Sequence, residues 1–336
     1  MRVLVLGVGR IGALHAAHLD GEPRVDRVVV VDPSAERMSV VLGSCRRAEA
    51  APSVEDALEG GVDAAVVATP SEQHFDDVTH LLEREVPTFC EKPLALDLED
   101  VRTVEERTRG SILMVGFQRR FDDAYRRLRD ACAGAREQGC TPTLYRFASG
   151  DAEPPPPEFL ARAGSLFHDM LIHDFDVLGF ISDAQPLSVV AEATPAGLDV
   201  EIGWGTAAAV ATLSDGSVAV FAGSRRTGSG YEVSCQITSE AGTFGIGLAP
   251  DEAPYEHLDA DTGESPPCSD FLERFRTAYR RELSHFLDVV EGAPLEGAGP
   301  DDMLRALALA DAAESSARAG GEPRAVATSA EPARAG

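Results

Sequence analysis

Val3-Leu4-Val5-Leu6-Gly7-Val8-Gly9-Arg10-Ile11-Gly12, at the start of the chain, decides the fold of the first half. The uninterrupted apolar run predicts a buried strand, and the residues from Gly12 to Leu19 predict an amphipathic helix. Between them the glycines follow the spacing GxGxxG, with a strand before and a helix after. Gly7 permits the tight turn, Gly9 lets backbone approach a pyrophosphate, and Gly12 lets the helix pack closely on the strand. The unpaired N–H groups and the dipole of the helix start favour negative charge. Gly7, Gly9, Arg10, Ile11 and Gly12 therefore read as a dinucleotide-binding turn. The next strand, Val28-Val29-Val30-Val31, ends in Asp32, about 20 residues after Gly12, where a carboxylate can accept the hydroxyls of an adenosine ribose. The same carboxylate repels a 2′-phosphate, which predicts NAD rather than NADP. Arg37, a few residues on, is the cation that could offset such a phosphate.

The pattern then repeats. Asp63–Ala68 predicts a strand, broken by Thr69-Pro70-Ser71 before a helix from Glu72 to about Arg84, with Ser71 as its expected N-cap. A strand precedes Cys90-Glu91-Lys92-Pro93, a helix starts near Asp97, and Ile112–Gly116 predicts a further strand. Alternating short strands and helices imply a doubly wound parallel sheet over residues 1–120, with ligands bound beyond the carboxyl ends of its strands. Thr69-Pro70, Glu91-Lys92-Pro93 and Gly116–Arg120 all fall at such ends.

Lys92 is the only lysine in the chain, against 29 arginines in a Lys plus Arg total of 30. Where nearly every generic cation is Arg, a retained lysine marks a position at which a planar guanidinium does not serve. An ammonium is a compact point charge whose pKa falls readily on partial burial.

Composition bounds the rest. At 336 residues the chain exceeds the size of one hydrophobic core, so two domains are expected. The net charge of −26 argues against a nucleic-acid partner. No apolar run is long enough to span a membrane, and the N-terminus runs straight into the glycine turn rather than through a signal-peptide core. The six cysteines show no CxxC spacing, so neither a metal site nor a disulfide framework is expected, and a cytoplasmic protein is.

Beyond residue 120 the character changes. A helix through Arg136 leads to a strand near Thr143–Phe147 and then to Pro154–Pro157, a stiff extended loop. In Leu166–Leu178 the apolar residues recur at helical spacing, predicting one amphipathic helix on which Asp169 and His173 are i and i+4. A carboxylate beside an imidazole raises its basicity and orients it as a general base. The same residues also fit a solvated helix face, or Asp174 or Asp176 as the partner of His173. Metal binding by His168 and His173 is disfavoured, because i and i+5 point to different sides. From about Pro186 to Ile246 successive strands are expected, with a hairpin at Ser214-Asp215-Gly216. The second domain, 121–318, is thus an α+β domain with a large, open, mainly antiparallel sheet, whose uncovered face suits a homodimer or homotetramer. Two helices close it, from Ser269 to about Val290 and from Pro300 to about Ala317, and 319–336 reads as a disordered tail.

Together these residues resemble the Gfo/Idh/MocA oxidoreductases, and within them the inositol 2-dehydrogenases. The resemblance runs to about residue 317 and is carried by Cys90–Leu94, Val115–Asp122, Met170–Asp176 and Phe271–Phe275 with Ala278, Tyr279, Glu282 and Leu283. It implies a catalytic group of Lys92, Asp169 and His173, with cofactor contacts extending to Thr69, Pro70 and Glu91. It also implies polyol contacts from Arg120, Tyr231 and Tyr279. The expected activity is NAD-dependent oxidation of a ring hydroxyl of a polyol or sugar, myo-inositol first. A dehydrogenase of another sugar or modified cyclitol, and a non-catalytic NAD-sensing regulator, share the fold. Two departures stand out: Gly164-Ser165-Leu166-Phe167-His168 replaces the more usual Gly-Gly-Ile-Phe-Leu, and Gln118 stands where Met is frequent.

Overall fold

The computed structural model describes residues 1–107, 109–198, 203–227, 230–247, 256–257 and 270–327. The chain forms two compact units, residues 1–118 with 277–303, and 119–276 with 304–336.

In the first unit β1 (Arg2–Leu6), α1 (Arg10–Gly21), β2 (Arg27–Val31), α2 (Ala35–Ser44), β3 (Ala48–Ala50), α3 (Val54–Glu59), β4 (Ala64–Val67), α4 (His74–Leu82), β5 (Thr88–Glu91), α5 (Leu98–Arg107) and β6 (Leu113–Gly116) alternate. The six strands pair in the order β3-β2-β1-β4-β5-β6, every pair parallel. This is the expected doubly wound sheet, with its order reversing at β1 beside the glycine turn. Val3–Val5, Val28–Val30 and Ala64–Val67 are fully buried, as sheets covered by crossover helices require. One local expectation fails. Ser71 lies inside a 3₁₀ turn, Ser71–Gln73, and α4 starts only at His74, after Gln73, without a side-chain cap.

The chain continues with α6 (Asp123–Glu137), β7 (Leu144–Gly150), α7 (Pro157–Ala163), α8 (Leu166–Asp169), α9 (Ile172–Ile181), β8 (Pro186–Thr194), β9 (Thr206–Leu213), β10 (Val218–Ser224), β11 (Glu232–Ser239), β12 (Gly242–Ile246), β13 (Glu256–His257), α10 (Phe271–Arg274), α11 (Arg276–Val290), α12 (Pro300–Arg318) and β14 (Arg324–Ala325). The second sheet runs β13-β12-β11-β7-β10-β9-β8-β14 and is mixed: β7–β10 and β12–β13 are parallel, the other pairs antiparallel. The β9–β10 hairpin turns at Asp215-Gly216 as read from the sequence, with Gly216 at φ +85° and the Asp215 carboxylate accepting from the Ser217 N–H. Strict in/out alternation along β9 leaves one face of the sheet uncovered among the described residues, with the paired Val190 of β8 and Val210 of β9 exposed on it.

Three sequence expectations need correction here. The units do not divide at residue 120 alone, because 277–303 joins the first unit. There Phe286 packs on Phe89, Arg24 bonds the side chains of Asp288 and Ser284, and Val115 N–H donates to the Ala298 carbonyl. Pro157 starts a helix rather than ending an extended loop. The described part of the supposed tail, 319–327, is packed: β14 pairs with β8, Val326 is buried, and the Ser316 hydroxyl accepts from Ala191 N–H and donates to the Glu322 carbonyl. Residues 328–336, and Ser269 at the expected start of the penultimate helix, lie outside the described residues.

Among the described residues no helix is long and apolar enough to cross a membrane. Cys45, Cys90, Cys132, Cys140 and Cys235 are free thiols. Removing everything after Arg318 takes away buried Val326 and strips β14 from the outer edge of β8, a loss of about 1.5–3 kcal/mol for the valine alone. A drop of about 3–12 °C in the melting temperature of the truncated protein is the expected outcome of thermal unfolding, at about 2–4 °C per kcal/mol.

Candidate active site

The glycine turn is built by the absence of side chains. Gly7 sits at φ +83°, and a Cβ there would lie 2.7 Å from the Ala68 carbonyl oxygen of the neighbouring strand end. A Cβ on Gly12 would lie 1.9 Å from the Gly7 carbonyl oxygen, so only glycine lets α1 start this close to β1. Gly9 is different: a Cβ there meets nothing within 4 Å, so the backbone before Arg10 faces open space. Gly9 is the N-cap of α1 with no side-chain bond to the first-turn N–H groups. This is the cradle a pyrophosphate needs, and the residues fit the dinucleotide expected from sequence.

Asp32, at the end of β2, holds this region together. Its Oδ2 accepts from Val8 N–H at 2.9 Å and its Oδ1 from Ser34 N–H at 2.7 Å, while Arg37 Nη2 donates to Oδ1 at 2.8 Å. Burial works against the charge, but Arg37 and the two backbone N–H groups outweigh it and hold the carboxyl below the ordinary carboxylate range. The folded-state pKa is therefore the lower one. Asp32 contributes stability in full above the unfolded carboxylate pKa and loses it as pH falls through the folded value.

Next along the sheet, Thr69 Oγ1 donates to Asp77 Oδ2 at 2.6 Å, and Thr69-Pro70 leads into the 3₁₀ turn before α4. Glu91 ends β5. Its Oε1 lies 2.7 Å from Nε2 of fully buried His15 in α1, and Gly116 on β6 leaves it room, since a Cβ there would lie 3.0 Å from Glu91 Oε2. Half-buried Lys92 follows, joined to Pro93 by a cis peptide bond. Tyr279 belongs to this unit too, buried, with its ring edge-on to His15 at 6.0 Å.

In the second unit the expected single helix over 166–178 is two pieces. Leu171 N–H donates to the Leu166 carbonyl, five residues back, and His173 N–H to the Met170 carbonyl, only three back. The widened turn has a cause in the sheet. Leu166 and Leu171 are both fully buried and both press on β10 at Gly223, where a Cβ would lie 2.8 Å from Leu166 Cδ2 and 3.1 Å from Leu171 Cδ2. In a regular helix residues five apart diverge by about 140° at 3.6 residues per turn, and the extra residue brings both leucines onto one spot. Asp169 and His173 lie on either side of this turn rather than on one regular helix. Such single-turn widenings are frequent at functional sites.

Each acidic residue near His173 has its own partner. Asp169 Oδ2 accepts from buried Arg225 at 3.0 Å. Asp174 Oδ1 accepts from Arg119 at 2.5 Å and its Oδ2 from the Ser149 hydroxyl at 2.7 Å, both charges wholly buried. Burial pushes the Asp174 carboxyl up, and Arg119 and Ser149 oppose it. Arg120 grips Asp176 through Nε and Nη2, at 3.0 and 2.6 Å, and lies over the Phe180 ring. Tyr231 is bracketed by Phe271 and Phe275, and burial pushes its hydroxyl pKa up against the opposing charge of Arg119. Arg120, expected at the polyol, thus ties α9 to the segment after β6, and Tyr231, expected there too, packs against the α10 aromatics. His168 is held between the Ser165 hydroxyl at 2.9 Å and Asp311 at 2.8 Å. Sequence reading missed Arg225, His15 and Ser149, which come from distant segments with no local signature.

Residues 1–117 match the family model described as "Oxidoreductase family, NAD-binding Rossmann fold", and residues 141–245 the "GFO/IDH/MocA C-terminal domain". The chain is 35% identical to myo-inositol dehydrogenase Hyg17 of Streptomyces leeuwenhoekii, covering 96% of this chain and 99% of that protein. It is 33% identical to inositol 2-dehydrogenase of Rhizobium meliloti, covering 93% and 96%. Its fold superimposes on the crystal structure of a putative myo-inositol dehydrogenase from Sinorhizobium meliloti with a TM-score of 0.84 at 30% identity, over 97% of this chain and 100% of that one.

The second and third glycines of the turn, Gly9 and Gly12, are separable by experiment. Gly9→Ala is expected to keep the wild-type melting temperature while weakening NAD binding at least about tenfold, because its methyl fills only the open cradle. Gly12→Ala, whose methyl meets backbone, is expected to unfold or melt well below wild type; calorimetry and NAD titration on both variants check this.

Proposed function

The chain belongs to the Gfo/Idh/MocA oxidoreductases, and from that premise we propose that it is an NAD-dependent dehydrogenase of a secondary ring hydroxyl on a cyclitol, with myo-inositol as the leading substrate and 2-keto-inositol as product. The observation that carries the reading is the end-to-end similarity to relatives named for inositol oxidation, at 35% identity over 96% of the chain.

Three side chains divide the chemistry. The His173 imidazole takes the hydroxyl proton as general base, a contribution of about 10²–10⁴ in rate. Asp169 orients it, with Arg225 steadying that carboxylate from behind. The Lys92 ammonium hydrogen-bonds the same substrate oxygen and stabilises its alkoxide character as the carbonyl forms, worth a few kcal/mol where water is excluded. NAD, when bound, supplies the hydride acceptor. Thr69, Pro70, Glu91 and Lys92 line the cofactor from the strand ends, and Asp32 takes the ribose hydroxyls. Arg120, Tyr231 and Tyr279 shape the polyol pocket, which in this proposal they do alongside the structural bonds described above. A lysine suits this role because one compact donor fits beside one oxygen, whereas Arg prefers planar bidentate partners.

The uncovered face of the second sheet, with Val190 and Val210 on it, supports a homo-oligomer in which a second copy covers that face. Light scattering of the purified protein is expected to give a dimer or tetramer.

Lys92→Arg is expected to cut kcat by at least about 10²-fold while the NAD dissociation constant stays within about threefold of wild type. Unchanged turnover in that variant would remove the role assigned to Lys92. A panel of cyclitols and sugars, with NAD and NADP run in parallel and reduced cofactor read by absorbance, tests the substrate. Turnover confined to another sugar moves the chain to a different pathway, and tight NAD binding with no turnover on any polyol makes it a sensor. Asp32→Ala is expected to raise KM for NAD at least about tenfold and to narrow the gap to NADP.

A further inference from the structure

The turn carrying Lys92 is gripped on both sides by buried histidines from two different helices. Before it, His15 of α1 holds the Glu91 carboxylate. After it, His74, the first residue of α4, stands between two backbone carbonyls: its Nδ1 lies 2.7 Å from the Pro93 oxygen and its Nε2 2.8 Å from the Thr69 oxygen. The ring is 1% exposed, so its two partners come from the protein itself.

A carbonyl oxygen accepts and never donates, and a neutral imidazole donates from one nitrogen while the other presents a bare lone pair. With a carbonyl oxygen at each end, a neutral ring makes one hydrogen bond and sets lone pair against lone pair at the other. Both contacts are hydrogen bonds only when both ring nitrogens carry hydrogen. An acidic group stands close by. Asp77, three residues on in α4, accepts the Thr69 hydroxyl, and burial pushing its carboxyl up is opposed by that bond and by the His74 ring. Asp76 adds a second acidic side chain on the same turn of the helix.

We propose that His74 is a positioning residue that donates from both ring nitrogens, tying the Thr69-Pro70 turn to the Lys92-Pro93 turn and thereby setting where the Lys92 ammonium stands. The functional half of this statement rests on the role given to Lys92 above. The ring links the ends of adjacent parallel strands, β4 and β5, through their exit loops. Sheet hydrogen bonds cannot do this, because the ladder between the two strands ends at Val67 and Cys90.

Nuclear magnetic resonance of wild-type protein labelled with ¹⁵N in its eight histidines tests the hydrogen count directly. The His74 signals are assigned by their loss in His74→Gln, or by ring contacts to Pro93 if that variant does not fold. At about pH 8, above the ordinary imidazole range, both His74 ring nitrogens are expected to show attached, slowly exchanging hydrogens. A bare-nitrogen signal overturns the double donor, whatever the enzyme turns over. In the kinetic arm, His74→Ala is expected to lower kcat about 10–100-fold, the cost of misplacing a catalytic group by about 1 Å. Its NAD dissociation constant is expected to change by a smaller factor than kcat, since the Thr69-Pro70 turn also lines the cofactor, with kcat partly restored by added imidazole. Equal losses in kcat and NAD affinity, with no rescue by imidazole, would make His74 a fold residue only and overturn the positioning role. If wild type itself turns over no polyol, the proposed reaction fails and the resonance experiment still decides the state of His74.

Discussion

The first unit depends on one buried carboxylate. Asp32 ends β2 with side-chain oxygens that accept simultaneously from the glycine turn through Val8, from the start of the next turn through Ser34, and from Arg37. Burial pushes its pKa up, and the three donors outweigh that and hold it below the ordinary carboxylate range. Its charge therefore does two things. It clamps the turn that Gly7 and Gly12 make possible, and it presents an anion beside the open backbone at Gly9. A dinucleotide site of this kind needs little else from the protein, because α1 supplies its N–H groups without any side chain.

The second unit is organised by buried ion pairs aimed at one helix. Arg119–Asp174 and Arg120–Asp176 take consecutive arginines from the segment after β6 and two acids from α9, and leave His173, between Asp169 and these acids in sequence, on the half-exposed side. A wholly buried pair adds little net stability, since desolvation cancels most of its attraction, but either partner alone is very costly. Such pairs specify geometry more than they stabilise. Together with the leucines seated over Gly223, they determine the shape of the turn that separates Asp169 from His173.

Much of this was legible along the chain. The strands β1, β2, β4, β5 and β6 of the parallel sheet are largely apolar runs ended by Gly, Pro or a polar or charged residue, so they are written locally, whereas β3, with Glu49 at its centre, carries no such signal. The Asp215-Gly216 hairpin was equally plain, because φ > 0 at Gly216 is a property of the residue itself. Where expectation failed, the deciding partner was remote in sequence. Ser71 has the chemistry of a cap, yet His74 with its two carbonyls starts the helix. Leu166–Leu178 has the period of one helix, yet a glycine some fifty residues later on β10 draws two leucines to the same place.

The sequence by itself determined the dinucleotide fold, the acid at Asp32 and the singular lysine, because glycine conformations, apolar runs and charge are properties of short segments. Only the tertiary structure decided that 277–303 belongs with the first unit, that Val326 and β14 complete the second sheet, and that Lys92 sits between His15 and His74 contacts. Those outcomes come from side chains meeting across tens to hundreds of residues, where burial and hydrogen-bond satisfaction choose among partners that local periodicity leaves equivalent.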